Sequence, residues 1–307
     1  MSKVKVTKIA YGGWQNCLQL SNGIADCVIT TDVGPRILRF GFVGQQNEFY
    51  EIEEDLGKAG GNEYRFYGGH RMWHGPQVEP RCCLPDNSPV QFQIDGSTVK
   101  LTQEIEKESG IQKQMEVTMA EDSAELRLLH RMSNKGQWAV ELAVWPLTMM
   151  RRGGTEYIPL NTRNTGLLPN KNIIFWPWTR PDDYRIKWGR KFVTLRQDKN
   201  AEEVGPNYEN AVKFGLNCED GFAAYFNDAH LFTKHFSPKE DCIYPDWGCS
   251  YETYTNKYML EMESLSPLTK LAPGEAAEHT EIWRLYDNLH EPSSEEEAQR
   301  LFAGLKK

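Results

Sequence analysis

At 307 residues the chain can bury a substantial core, and a single β-sandwich or barrel of this length is ordinary. With 39% hydrophobic and 25% charged residues it has the balance of a folded globular protein. Its formal net charge of −8 argues against phosphate-neutralising nucleic-acid binding, which needs a basic face, and no segment approaches the roughly 20 apolar residues of a membrane-spanning helix.

The N-terminal "MSKVKVTKIAYGG" is charged and alternating and lacks the apolar run of a signal peptide, so a cytoplasmic location is expected. "NCLQL", "SNG" and "IADCVITT" predict a first hairpin, followed after "DVGP" by the strand "RILRFGFV". "YGGHRMWHGPQVEPR" (67–81) reads as a turn-rich loop in which paired glycines make a tight bend and leave Arg71, Trp73 and His74 on a rim. His70 and His74 are four apart, but the flanking Gly68, Gly69, Gly75 and Pro76 oppose a helix, so the spacing assigns no metal. A structural loop with hydrogen-bonded histidines is the competing reading.

"TVKLTQEIEKES", "IQKQMEVTMAED" and "AELRLLHRMSN" predict a three-stranded meander turning at Ser109-Gly110 and Asp122-Ser123. "WAVELAVWPLTMM", "GFAAYFN" and "YMLEMESLS" continue the alternation. His130, His230 and His235 on these strands read as structural. Between them, residues 168–191 are expected to form a long loop, with Trp176 and Trp178 available to a ligand.

In "KYMLEMESLSPL" residues two apart share a face, so Glu261 and Glu263 lie on one side. On a solvated edge they would be ordinary acids; in a cleft, repulsion and burial would raise a pKa toward acid–base usefulness. The tail "PSSEEEAQRLFAGLKK" predicts a C-terminal helix within 291–307, capped by Ser293 or Ser294 with Glu296 or Glu297, favoured at its end by Lys306 and Lys307, and docked through Leu301 and Phe302. No linker or repeat divides the chain, so one domain over 1–307 is expected.

The seven cysteines, odd in number and without a C-x-x-C pair, read as mostly buried thiols. P-loop, G-x-G-x-x-G and G-x-S-x-G motifs are missing, which leaves nucleotide binding and triad hydrolysis without support. Nine tryptophans and thirteen tyrosines among many polar residues suit a cleft that stacks sugar faces and hydrogen-bonds hydroxyls, although core packing explains many of them equally.

Three segments carry a family resemblance. "TTDVGPRILRFGF" resembles the early segment of aldose 1-epimerases and other galactose mutarotase-like proteins. "YGGHRMWHGPQ" resembles the GG loop of the hexose-phosphate epimerase branch, and "YMLEMESLSPLTKLAPGEAAEHTEIWRLY" is similar to the superfamily's closing Glu strand, PGE turn and final strand. The combination "GGHR-x-W", "PDN" and "LAPGE" resembles a bacterial mutarotase-like group of the DUF4380 type. The resemblance implies a mainly β fold, a supersandwich of two large antiparallel sheets with a concave ligand face. It implies a carbohydrate-active isomerase working without metal or organic cofactor on a small-molecule sugar, with neither nucleic acid nor membrane as partner. Glu263 stands at the general base, Glu261 is the fallback, His74 is the expected acid and His70 the second choice. Arg71, Trp73, Glu79, Arg36, Trp145, Trp176 and Trp178 are the expected substrate contacts. One departure is visible: where active epimerases carry a mid-strand histidine, this chain has "SNKGQWAVELAVWPLTMM" with Trp145. A non-catalytic sugar-binding protein is therefore the alternative, and a polysaccharide lyase or hydrolase shares the fold only by analogy. Oligomeric state has no sequence signal.

Overall fold

A computed structural model describes residues 3–305. Two large antiparallel sheets make up the body of the protein, as the alternation predicted. The 11-stranded sheet runs edge to edge through Lys5–Tyr11, Trp14–Ser21, Ala25–Thr30, Arg36–Phe42, His70–Gly75, Val140–Met150, Leu260–Ser264, Tyr251–Thr255, Val212–Leu216 and Ile173–Phe175, with Thr269–Leu271 pairing to Val140–Met150 off that path. The 10-stranded sheet runs through Ile186–Trp188, Phe192–Arg196, Thr155–Pro159, Phe222–Asn227, His230–Phe236, Ala276–Tyr286, Glu125–Asn134, Ile111–Met119, Thr98–Thr102 and Gln91–Asp95.

The reason the sheets face each other is written in the strands. Along "IQKQMEVTM" alternate residues are buried, and Ile111, Met115, Val117 and Met119 join the shared core. Phe40 and Phe49 of the first layer meet Phe232 and Trp283 of the second in tilted and edge-to-face contacts, Phe49 lying 5.5 Å from Trp283.

The meander is present, although its first strand ends at Thr102, before the charged "QEIEKES". The 168–191 segment is not one loop: Ile173–Phe175 and Ile186–Trp188 add a strand to each sheet. The C-terminal helix spans Glu295–Leu305. The Glu297 amide donates to Ser294 Oγ at 3.2 Å, and the Glu297 carboxylate accepts from the Ser293 amide and hydroxyl at 2.8 Å. Phe302 is buried among Tyr157, Phe222 and Phe226, with Leu301 packed beside them. Lys306 and Lys307 lie outside the described residues. None of the seven cysteines is in a disulfide, and no helix among the described residues is long and apolar enough to cross a membrane.

The "GG" before His70 has a steric cause. Both glycines have positive φ, and a Cβ on Gly68 or Gly69 would lie 2.3 Å from the Tyr50 carbonyl oxygen or 2.1 Å from that of Ile37. Gly69→Ala is therefore expected to lose about 2 kcal/mol of stability in urea unfolding, because strain and clash act together. A loss below about 0.5 kcal/mol would refute the close approach.

Candidate functional site

Cross-strand pairing assembles one polar face. Arg71 lies opposite Leu147 and Trp73 opposite Trp145; Leu147 and Met149 in turn face Glu263 and Glu261. Glu263 and Glu261 are opposite Glu252 and Tyr254, and Lys213 is opposite Tyr254. Directly opposed residues share a face, so Arg71, Trp73, Trp145, Glu261, Glu263, Glu252 and Lys213 all project from the side turned away from the second sheet. Their neighbours in sequence, Met72, Val144, Met262, Tyr251 and Phe214, enter the inter-sheet core.

The charges on this face are buried and interlocked. Lys213 Nζ lies 2.9 Å from Glu252 Oε2 and 3.0 Å from Glu263 Oε2, between the rings of Trp145 and Trp176 at 4.6 and 4.7 Å. Trp145 Nε1–H donates to Glu263 Oε2 at 2.9 Å. Arg71 Nη1 lies 2.8 Å from Glu261 Oε1, and its guanidinium sits 4.6 Å over Trp73. That ion pair is off the hydrogen-bond axis. All three Arg71 side-chain nitrogens, Glu261 Oε1, Glu263 Oε1 and both Glu252 oxygens are buried without an aligned hydrogen-bond partner. Such atoms are costly in a plain core and concentrate where a structure is built for something polar.

Burial raises the Glu252 carboxyl to about 8 against the pull of Lys213, with the Glu263 charge adding to the rise. Burial raises Glu263 as well, again opposed by Lys213 and reinforced by Glu261. Burial disfavours the Lys213 ammonium, but Glu252 and Glu263 together drive its pKa up. The arrangement holds one firmly charged cation against two carboxyls that compete for it.

The expected contacts divide. Glu261, Glu263, Arg71, Trp73, Trp145 and Trp176 come together. His70 and His74 do not: "HRMWHG" is a strand rather than a loop rim, and alternation turns both histidines to the inter-sheet side while Arg71 and Trp73 face outward. His70 bonds Thr148 and His130 at 2.8 Å each, and His74 Nε2 lies 2.9 Å from the Arg81 carbonyl. As placed, neither can protonate a substrate lying on Glu263. Arg36 is also committed, its guanidinium donating to the Phe66 and Gly68 carbonyls and pairing with Asp86 at 2.8 Å. Glu79 is exposed on the loop before Arg81. Trp178 stacks on Tyr208 at 4.9 Å.

Lys213 and Glu252 escaped the sequence reading. Alternation in "AVKFGL" and "SYETYT" could have put each on a strand face, but no local signal says which strands become neighbours.

Behind the face lies a second polar network, wholly between the sheets. Lys234 Nζ donates to Thr148 Oγ1 and the Met262 carbonyl at 2.8 Å and pairs with Glu281 at 3.0 Å. Glu281 also accepts from Ser264 and from Trp283 Nε1. His70, His130 and Glu281 each bring one ligand-type atom within 4.8 Å of the others. The Lys234 ammonium and the His70–His130 hydrogen bond account for these groups as a satisfied network.

Among solved structures, the chain is similar to a candidate aldose 1-epimerase from Klebsiella pneumoniae subsp. pneumoniae MGH 78578, at 11% identity over 99% of this chain and 86% of that one, TM-score 0.59. Galactose mutarotase-like proteins from Lactobacillus casei ATCC 334 and Clostridium acetobutylicum match at 10% and 11% identity with TM-scores of 0.55 each. The first match covers 88% of this chain and 100% of that one; the second covers 92% and 99%. No family model and no curated protein matches the chain. At these identities the likeness establishes the galactose mutarotase-like fold.

Proposed function

We propose that the protein is a carbohydrate-active isomerase of the mutarotase type, acting at the Arg71–Glu261–Glu263–Glu252–Lys213 face. The observation that carries this reading is the concentration of buried, hydrogen-bond-hungry atoms on Arg71, Glu252, Glu261 and Glu263, walled by Trp73, Trp145 and Trp176. Hydroxyl-rich ligands with apolar ring faces match that combination.

Glu263, held by Trp145 Nε1–H and Lys213, is the base that takes the anomeric hydroxyl proton. Glu252, raised to about 8, carries a proton at neutral pH and replaces the histidines as the acid that delivers it to the ring oxygen. The C1–ring oxygen bond breaks, the aldehyde rotates about C1–C2, and reversal of both proton transfers closes the ring from the other face. Arg71 orients substrate hydroxyls, and Lys213 offsets the charge that develops between the carboxyls. Reaching Glu263, which is fully buried, requires outward movement of the half-buried Trp73 or Trp176.

Saturation-transfer NMR on anomeric protons, across neutral, acidic and phosphorylated monosaccharides, tests the reading. Exchange is expected with wild type and lost in Glu263→Gln; exchange that survives the substitution removes Glu263 from the chemistry. A non-catalytic sugar-binding protein is favoured by one observation, Trp145 occupying the histidine's expected place and hydrogen-bonding Glu263. Ligand line broadening without exchange would select it.

A further inference from the structure

A cavity of about 560 Å³, within the roughly 300–1,000 Å³ range of small-molecule sites, is lined in part by Asn210 and Ala211, just before the strand that carries Lys213. Trp178, Arg185, Arg180, Asp182, Asp183 and Asn210 are among its lining residues. It adjoins the reaction face through one short segment. Trp176 covers the Lys213 ammonium, Thr179 Oγ1 donates to the Lys213 carbonyl at 2.7 Å and accepts from the Lys213 amide at 2.8 Å, and Trp178 lies between them.

The chemistry of the lining selects a ligand. Arg180 and Arg185 are each clamped in two hydrogen bonds to a neighbouring carboxylate, Asp182 and Asp183 respectively. Their charges are thus spent locally, and a phosphate or carboxylate entering here would meet aspartates as readily as guanidinium groups. Two donors remain over. Arg185 is 3% exposed, and its Nη1 is buried with no hydrogen-bond acceptor; Trp178 Nε1 is in the same condition. Unused donors beside an indole and paired carboxylates fit an uncharged ligand that both accepts and donates hydrogen bonds.

We infer that this cavity is a second saccharide subsite, taking a neutral sugar unit attached to the one whose reducing end lies at Glu263. The inference rests on the proposed sugar site and extends it: the preferred ligand is a neutral disaccharide or longer glycan rather than a free monosaccharide. Trp178 and Arg185 Nη1 bind ring and hydroxyls of the distal unit, while ring opening takes place at the reducing end.

Isothermal titration with glucose, galactose, maltose, cellobiose and lactose, paired with anomeric exchange NMR on the same samples, tests it. At least one disaccharide is expected to bind wild type about ten-fold more tightly than the monosaccharide of its reducing end. Ala201→Trp, which fills the cavity from a solvent-facing loop, should abolish that preference and leave monosaccharide affinity within about two-fold. Trp178→Phe, which keeps a ring and deletes the donor, should weaken the disaccharide about five-fold. Monosaccharide binding with no gain for any disaccharide, or a gain that survives Ala201→Trp, overturns the subsite and leaves the reaction site standing. A disaccharide preference lost in Ala201→Trp but without anomer exchange supports the subsite and overturns the isomerase. Failure of every sugar in this neutral panel to bind overturns the subsite, while the reaction site still stands or falls on exchange with the acidic and phosphorylated monosaccharides.

Discussion

Lys213→Met is expected to lose about 3–5 kcal/mol of folding stability at pH 8, the range for stripping the partner from a buried ion pair. Methionine keeps most of the volume and apolar contact between Trp145 and Trp176, so packing contributes little to the loss. What disappears is the cation 2.9 Å from Glu252 and 3.0 Å from Glu263, two fully buried carboxyls on neighbouring strands. They can respond only by taking up protons, which becomes harder as pH rises. The defect should therefore shrink at pH 6 and shrink again in Lys213→Met/Glu252→Gln, where one carboxyl no longer needs a cation. Urea unfolding at the two pH values measures it. A loss below about 1 kcal/mol, or one equal at both, would mean that Lys213 is not the counter-charge of this pair.

The parts of this site that could be read from sequence are those carried by short-range periodicity. Glu261 and Glu263 share a face because they are two apart in a strand, and that holds wherever the strand is placed. Arg71 and Trp73 lie on the same face as Glu261 and Glu263, but on a strand rather than on the loop rim the glycines suggest. The glycines that suggested a loop end at Gly69, and the strand begins one residue later. That single misreading reversed the histidines, since in a strand i and i+4 share a face opposite to i+1 and i+3. The Lys213 clamp joins residues 50 apart in sequence and the His70–His130 bond residues 60 apart, in different sheets. No local pattern encodes either. The sandwich itself was legible because many strands repeat one signal, whereas strand order depends on pairings the signal does not contain.

The stability of the protein should peak near pH 6.5 and fall by about 1 kcal/mol between 6.5 and 7.5, the loss from two carboxyls being partly offset by the histidines. Two buried carboxyls drive the fall. Burial raises Glu156 to about 8 despite hydrogen bonds from Tyr251 and Thr253, and burial with the Glu263 charge raises Glu252 to about 8. A raised folded-state pKa favours folding fully below the ordinary carboxyl value and loses that contribution as pH climbs through about 8. The unfolded chain has by then released protons that the folded one retains. Histidines supply the opposite slope on the acid side. Burial holds His74 at about 4 and His279 at about 3, and lowers His70 and His130, so their contribution is present above about 6.5 and lost as pH falls. The crossing of the two trends places the maximum. Glu156→Gln isolates one component, because Glu156 lies in the core behind the proposed reaction face and bonds only Tyr251 and Thr253. Its stability change from pH 6.5 to 7.5 should be more positive than wild type by about 1.2 kcal/mol, the contribution of one carboxyl over that window. Urea midpoints across that window decide the matter: parallel wild-type and Glu156→Gln curves would show that Glu156 is ionised in the folded protein, and a wild-type curve rising toward pH 7.5 would show the same of Glu252.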